Sequence, residues 1–315
     1  MTADALVLDK VVKRFGAFAA VDGLSFSVAR GEIFGFLGPN GAGKTTTLRM
    51  ILEIVAPTSG RIKVLGSASA IKVRHRIGYL PEERGLYRKM RAADTIAYFA
   101  SLRGVPAREA KARAIALLDR FGLGPFARAK NEALSKGMAQ KVQLLATIAH
   151  DPELLILDEP FSGLDPINQA TLEDLIRELK AAGKTIIFST HTMQHAERLC
   201  DRFLIIAKGA KKFEGALEEA RRRFPPRLII RTADDIAALR RAPGVIEITQ
   251  NGEDGAARDY AIELRTGADP NAVLSAAFEA GIRMTRFEHA GASLHDIFVA
   301  LAGEDATAEE RIAAQ

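Results

Sequence analysis

Short apolar runs recur along the first two hundred or so residues, each ending at a polar or glycine-rich corner. Ile33-Phe34-Gly35-Phe36-Leu37, Ile77-Gly78-Tyr79-Leu80, Leu154-Leu155-Ile156-Leu157, Thr185-Ile186-Ile187-Phe188-Ser189 and Phe203 to Ala207 have the length and composition of buried strands. Leu6 to Phe15 and Leu24 to Val28 read as two further strands separated by a turn near Asp22-Gly23, and Arg61 to Leu65 as another after a loop at Pro57-Thr58-Ser59-Gly60. Between them lie stretches of helical period: Thr47 to Leu52, Pro166 to Ala182 closed by Gly183, and Met193 to Leu199. From about Ala92 to His150 the strand pattern stops and Ala, Leu, Arg and Glu dominate, with Arg108 to Phe121 at helical spacing. Alternation of strand and helix, interrupted by a helical insertion, predicts an α/β domain over residues 1–220 with a helical subdomain at about 92–150.

A basic run meets two prolines at Arg221-Arg222-Arg223-Phe224-Pro225-Pro226, and the pattern changes there. Beyond it come strand Leu228 to Arg231, helix Ala233 to Arg241, strand Val245 to Thr249, a hairpin at Asn251-Gly252, strand Tyr260 to Leu264, helix Asn271 to Ala280, strand Arg283 to Glu288 and helix Ser293 to Leu301. The order β-α-β-β-α-β predicts a small ferredoxin-like α+β domain over 227–303, followed by an Ala- and Glu-rich tail at 304–315.

Composition adds limits rather than identity. At 48% hydrophobic and 26% charged residues, the 315-residue chain is ordinary globular material. No apolar run approaches bilayer length, and Met1-Thr2-Ala3-Asp4-Ala5 lacks the basic start of a secretory signal, so a cytoplasmic location is expected. The one cysteine, Cys200, excludes an internal disulfide and reads as an inert thiol at a helix end. A net charge of +5 is spread among acids, which argues against nucleic acid as a partner.

The chemistry concentrates at Gly38-Pro39-Asn40-Gly41-Ala42-Gly43-Lys44-Thr45-Thr46, a G-x-x-x-x-G-K-T stretch between an apolar strand and a helical run. Glycines let backbone N–H groups approach a phosphate, the helix start adds its positive dipole end, Lys44 supplies a point charge and Thr45 a hydroxyl ligand for Mg²⁺. Asp158 and Glu159 close a buried strand where α/β sheets collect their ligands, so Asp158 is a metal ligand and Glu159 polarises water. Ser135 caps a helix that begins with Lys136-Gly137, a second candidate phosphate site, and two such sites invite a dimer around nucleotide. His191 follows a strand at the same sheet edge and is assigned to the γ-phosphate, and Glu82 leaves another strand within reach of the metal. Phe15 fits a base-stacking residue and a core strand residue equally well.

Taken together, these motifs and their order resemble the ATP-binding subunit of ABC transporters: the P-loop, Leu134-Ser135-Lys136-Gly137-Met138, Leu154 to Glu159, Ser162-Gly163-Leu164-Asp165 and His191. The terminal Ser293-Leu294-His295-Asp296-Ile297-Phe298 resembles the extension of exporter ATPases related to a bacterial sodium-efflux system. The resemblance implies a P-loop NTPase fold, ATP and Mg²⁺ as cofactors, Phe15 as the adenine-stacking ring, Glu159 as general base and His191 as γ-phosphate switch. It further implies that Ser135 and Gly137 act in trans in a head-to-tail dimer that drives a separate multi-span permease at the inner face of the membrane. Glu82 stands where the family usually has Gln, and Leu134 to Met138 departs from LSGGQ; both variants fit the sodium-exporter-like branch. A non-transport ATPase acting on ribosomes or DNA is the alternative, although the second cassette or long coiled coil common there is absent. A GTPase would need an Asn-Lys-x-Asp element, which is also missing.

Overall fold

The computed structural model describes residues 4–83, 85–254, 257–265 and 267–302, in two units: residues 4–215 and Ala216–Ala300. The first unit opens with β1 (Asp4–Phe15), β2 (Phe18–Ala29), β3 (Ile33–Leu37), α1 (Lys44–Ile51), β4 (Ser59–Val64), α2 (Ala70–Val73) and β5 (Ile77–Leu80). The helices α3 (Ala92–Leu102), α4 (Ala107–Arg120) and α5 (Lys136–Ile148) follow. Strand and helix then alternate through β6 (Leu154–Asp158), α6 (Pro166–Ala181), β7 (Thr185–Thr190), α7 (Met193–Leu199), β8 (Arg202–Ala207) and β9 (Ala210–Gly215).

Six strands form one sheet in the order β5-β6-β7-β3-β8-β9, parallel except for β9. The apolar runs need this sheet because it is covered on both faces. Leu154 and Ile156 of β6 enter one cluster with Phe34, Phe36, Leu48 and Ile187, while Leu155 and Leu157 enter the other with Ile96, Val142, Ile176 and Phe188. Each such side chain contributes about 1.5–3 kcal/mol through burial, so the strand sequence is set by two cores at once. The first cluster also holds Leu6, Val11 and Phe26 from a three-stranded antiparallel sheet ordered β2-β1-β4. The second holds the inward faces of α3, α4 and α5, including Ala110, Ala114 and Leu118.

Two local expectations for this unit are corrected, and one strand was not anticipated. The turn between the first strands lies at Gly16-Ala17; Asp22-Gly23 sits inside β2, where the pairing slips between Val11↔Leu24 and Lys13↔Val21 and Gly23 has φ 64°. A glycine in a bulge and a glycine in a turn leave the same trace in sequence. Ser59 and Gly60, read as loop, begin β4, because Val12↔Ser59 pairing continues the ladder of β1. The short β9 carried too little pattern to be anticipated.

The second unit contains α8 (Leu217–Arg221), β10 (Arg227–Thr232), β11 (Val245–Asp254), β12 (Ala257–Leu264), α9 (Pro270–Glu279), β13 (Met284–Ala290) and helical residues 294–300. Its sheet is antiparallel throughout in the order β11-β12-β10-β13, the arrangement of a ferredoxin-like domain. Leu228, Ile230, Tyr260 and Ile262 pack on Val273 and Ala277 of α9. The helix expected over Ala233 to Arg241 is only a 3₁₀ turn at Ala237–Arg241. Thr232 Oγ1 and Asp235 Oδ1 accept the Asp234 and Ala237 N–H groups, so side chains take donors that a helix would have used. Asn251-Gly252 is no hairpin turn: β11 runs through it to Asp254 with a one-residue slip between Gln250↔Tyr260 and Gly252↔Asp259. Residues 255–256 and the tail at 304–315 lie outside the described residues.

Candidate nucleotide site

The C-terminal ends of β3, β6 and β7 meet at one sheet edge, which places the P-loop, Glu159 and His191 around a single cleft, with Asp158 buried next to Glu159. Residues Pro39 to Thr46 form its floor, and Phe15, Phe18, Ala20, Glu82, Glu159 and His191 its sides. Two loop glycines are required for a reason other than phosphate access. A Cβ on Gly38 would stand 2.5 Å from the Ile206 carbonyl oxygen, and one on Gly43, where φ is 101°, 2.4 Å from that of Ala20. The loop is thus pressed against the backbones of β8 and β2, and α1 starts immediately after Gly43, leaving its first-turn amides without partners inside the helix.

Lys44 is buried at the cleft floor. Its Nζ donates to the carbonyls of Gly38 (2.6 Å) and Pro39 (3.2 Å) and stands 3.8 Å from Glu159 Oε1. Burial holds its ammonium below the ordinary lysine range, and the carboxylates of Glu159, Asp158 and Glu82 partly restore it. A buried cation held only by carbonyls and carboxylates is suited to exchange them for a polyphosphate.

Asp158 Oδ1 accepts Ser189 Oγ–H at 2.6 Å and lies 3.5 Å from Thr45 Oγ1. Its Oδ2 is buried without a hydrogen-bond partner, a costly state for a carboxylate oxygen and one that a hard cation relieves. The donor set is therefore right for Mg²⁺: one free carboxylate oxygen and a threonine hydroxyl, both hard oxygen ligands. Among the described residues no cluster of three His, Cys, Asp or Glu side chains could hold an ion alone, in keeping with a metal that takes its other ligands from phosphate and water.

Glu159 leaves β6 with a left-handed backbone, φ 46°. This turn brings Oε2 to 3.0 Å from His191 Nδ1 while Oε1 faces Lys44. The His191 ring is mostly exposed toward the cleft, whereas the carboxylate is buried, so a water in the cleft would meet an acceptor oriented by His191.

Phe15 is 53% exposed, which removes the core alternative for it. Phe18, unnoticed in the sequence, is 64% exposed and pairs with Phe15 across the hairpin, so both rings face the cleft. Its signal was available: two phenylalanines flanking a two-residue glycine turn must share a face. Ser135 and Gly137 are not on this cleft. Ser135 Oγ caps α5 by accepting the Met138 N–H at 3.3 Å, and Gly137 lies beside Asn168 of α6. The remaining histidines with clear partners are structural: His195 is buried, 2.9 Å from Glu173 and stacked on Phe161 at 3.9 Å between centroids. The Cys200 sulfur packs over Gly35, and burial pushes its thiol well above the usual range, as expected of an inert group.

A mixed sheet that brings a P-loop, Glu159 and His191 to one cleft has the arrangement of an ATP-hydrolysing cassette. Residues 21–162 match the ABC transporter family, and residues 215–302 match the C-terminal domain of DrrA1-3-like ATP-binding proteins. The chain is 41% identical over 95% of its length to the uncharacterized ABC transporter ATP-binding protein YhaQ of Bacillus subtilis, covering 98% of that protein. It is 35% identical to Nod factor export ATP-binding protein I of Ralstonia nicotianae, over 95% of this chain and 94% of that one. Among solved structures, an ATP-binding subunit of an ABC transporter superposes with a TM-score of 0.65 at 33% identity, covering 70% of this chain and 92% of the other. CbiO1 of Clostridium perfringens, described as part of the ABC transporter complex cbiONQ, gives 0.61 at 26% identity, over 70% and 94%. The chain belongs to the ABC transporter ATP-binding proteins, the ATP-hydrolysing subunits of these transporters. No helix among the described residues is long and apolar enough to cross a membrane.

Proposed function

We propose that this chain is one of a pair of subunits that close on Mg²⁺-ATP and power export through a separate multi-span membrane protein, at the inner face of the membrane. The observation that carries this reading is a divided phosphate site. Lys44, Glu159 and His191 line one cleft, while the second candidate phosphate site, Ser135 and Gly137, is absent from it. In the proposed dimer a second copy brings its own Ser135 and Gly137 to each cleft, so one two-fold interface completes both sites. Whether the second copy is identical or a paralogue does not change the geometry.

In this reading Phe15 stacks on adenine, and Gly38, Pro39, Asn40, Gly41, Ala42, Gly43, Lys44, Thr45 and Thr46 hold the phosphates. Thr45 and Asp158 hold the metal, with Glu82 beside them. Bound Mg²⁺ supplies neutralisation of charge on the β- and γ-phosphate oxygens. Glu159 takes the proton of the attacking water, and His191, 3.0 Å away, keeps that carboxylate aimed while its exposed edge meets the γ-phosphate. Residues 1–220 are assigned as the ATP-binding domain and 227–303 as an accessory domain.

The membrane partner is supported by an apolar groove between β5 and the helical subdomain, lined by Tyr79, Pro81, Leu86, Phe99, Gln143 and His150. Pro81 is on this groove and Glu82 on the nucleotide cleft, so adjacent residues report one site to the other. Exposed Tyr87, Tyr98 and Leu102 extend the apolar surface. The names of the relatives, transporter and export subunits, favour this over action on ribosomes or nucleic acid.

The test is complementation in trans. Lys44→Ala disables the P-loop and Ser135→Arg the start of α5; mixed dimers of the two regain one intact site and recover ATP hydrolysis. A mixture as inactive as each variant alone would refute the divided site. Recovery of a multi-span protein with the tagged chain from detergent extract tests the partner, and repeated recovery of ribosomes alone would overturn it.

A further inference from the structure

Ser189 is fully buried on β7, in register with Phe36 of β3 on one side and Asp158 of β6 on the other. Its hydroxyl is used twice, on two residues of the hydrolytic centre. The O–H donates to Asp158 Oδ1 at 2.6 Å, and the oxygen accepts the Glu159 N–H at 3.0 Å. We infer that Ser189 is a positioning residue for hydrolysis, setting the metal-facing edge of Asp158 and the backbone turn of Glu159 through one oxygen atom; this rests on the roles proposed above for those two acids.

Two features of the geometry lead there. A carboxylate free to rotate would present either oxygen to the cation. With Oδ1 committed to Ser189, the plane of Asp158 is fixed and Oδ2, the buried oxygen without a partner, is the edge left for a ligand. Thr45 at 3.5 Å from the same Oδ1 is too distant to fix it. The second feature is the left-handed φ of 46° at Glu159, a backbone that residues with a Cβ adopt rarely. An extended Glu159 would carry its side chain onward along β6. The turn sends it back toward His191 and Lys44, and the Ser189 acceptor is what its N–H meets in that conformation. A buried serine with donor and acceptor both satisfied is ordinarily core polarity, but here both partners belong to the acids that do the chemistry.

Ser189→Ala removes one atom and leaves the volume otherwise intact. In the full chain it is expected to lower kcat by roughly 10- to 100-fold, the cost of misplacing a reacting group by a fraction of an ångström to an ångström. The KM for ATP stays near wild type, and the melting temperature falls by only the few degrees that an unpaired Asp158 Oδ1 and Glu159 N–H cost. The Mn²⁺ affinity of the complex with a non-hydrolysable ATP analogue, read by electron paramagnetic resonance, falls. Ser189→Thr keeps the hydroxyl and recovers kcat; should the extra methyl prevent folding, the kcat-against-KM split of Ser189→Ala decides. Unchanged kcat in Ser189→Ala overturns the inference, as does loss of kcat, nucleotide affinity and melting temperature in step. Unchanged Mn²⁺ affinity overturns the Asp158 half. Glu159→Gln is run in parallel: if it too hydrolyses ATP, the role of Glu159 has failed, whereas failure of Ser189→Ala alone removes only the positioning role.

Discussion

Replacing Glu159 with Gln deletes one negative charge and keeps the side-chain shape, so it separates the chemistry of the carboxylate from its packing. The charge sits 3.8 Å from Lys44 Nζ and 3.0 Å from His191 Nδ1, with the carboxylate itself buried. At an effective dielectric constant near 20, the Lys44 attraction is on the order of 4 kcal/mol before desolvation, and desolvation of the two groups offsets most of it. Lys44 keeps its bonds to the Gly38 and Pro39 carbonyls in the variant. The nucleotide-free protein is therefore expected to lose on the order of 1 kcal/mol, about 2–4 °C in melting temperature for a domain of this size. With ATP bound the sign reverses. A carboxylate that repelled the γ-phosphate is gone and the Lys44 charge is fully available to it, so ATP affinity rises and the thermal shift on adding ATP grows. Hydrolysis falls by about 10²–10⁴-fold, the usual contribution of a positioned general base. Phosphate release, calorimetric ATP titration and melting curves on the same preparation check all three. Phosphate release within a few-fold of wild type, in a variant that melts where expected, would refute the assignment of Glu159.

Phe15→Ala is expected to weaken ATP binding by about 1–3 kcal/mol, the worth of one base-aromatic stack, without moving the melting temperature of the free protein, since the ring is exposed. Binding of inorganic tripolyphosphate, measured by competition, stays unchanged. Gly43→Ala combines φ 101° with a contact of 2.4 Å to the Ala20 carbonyl oxygen, so it should destabilise the fold by about 1–3 kcal/mol and abolish ATP binding, read by melting curves and calorimetry. Gly41→Ala, whose Cβ meets nothing within 4 Å but which also has positive φ, is the milder control. Burial on the groove holds the His150 imidazole down at about 4, below the ordinary 6.5. Because the folded value lies below the unfolded one, the stability from the neutral ring is complete above pH 6.5 and lost as the pH falls toward 4. After allowance for partial exposure this is worth about 1–3 kcal/mol, so His150→Gln should flatten the melting temperature against pH across that window.

The sequence by itself determined the class of fold and the residue types that meet at the cleft. A P-loop between strand and helix and acids at a strand end each follow from local rules, because the phosphate must meet bare amides and the metal must meet oxygen at the open end of a parallel sheet. The buried strands were legible for the same reason: residues facing two cores are apolar in unbroken runs. What the tertiary structure decided is which of several locally acceptable states each ambiguous segment takes. Gly23 and Asn251-Gly252 carry turn chemistry yet lie in strands, because pairing with β1 and β12 offers the backbone more hydrogen bonds than a reversal would. Asp234 and Asp235 sit in a helical pattern, but the Thr232 and Asp235 side chains take the Asp234 and Ala237 backbone donors instead. Phe15 was undecided between core and cleft, since a strand shows its period but not which face meets solvent. Ser189 was invisible as a functional residue, being one of three hydroxyl residues in a buried strand. Its importance comes from β6 lying beside β7 in a register that puts Asp158 opposite it, and that pairing joins residues 31 positions apart in the chain.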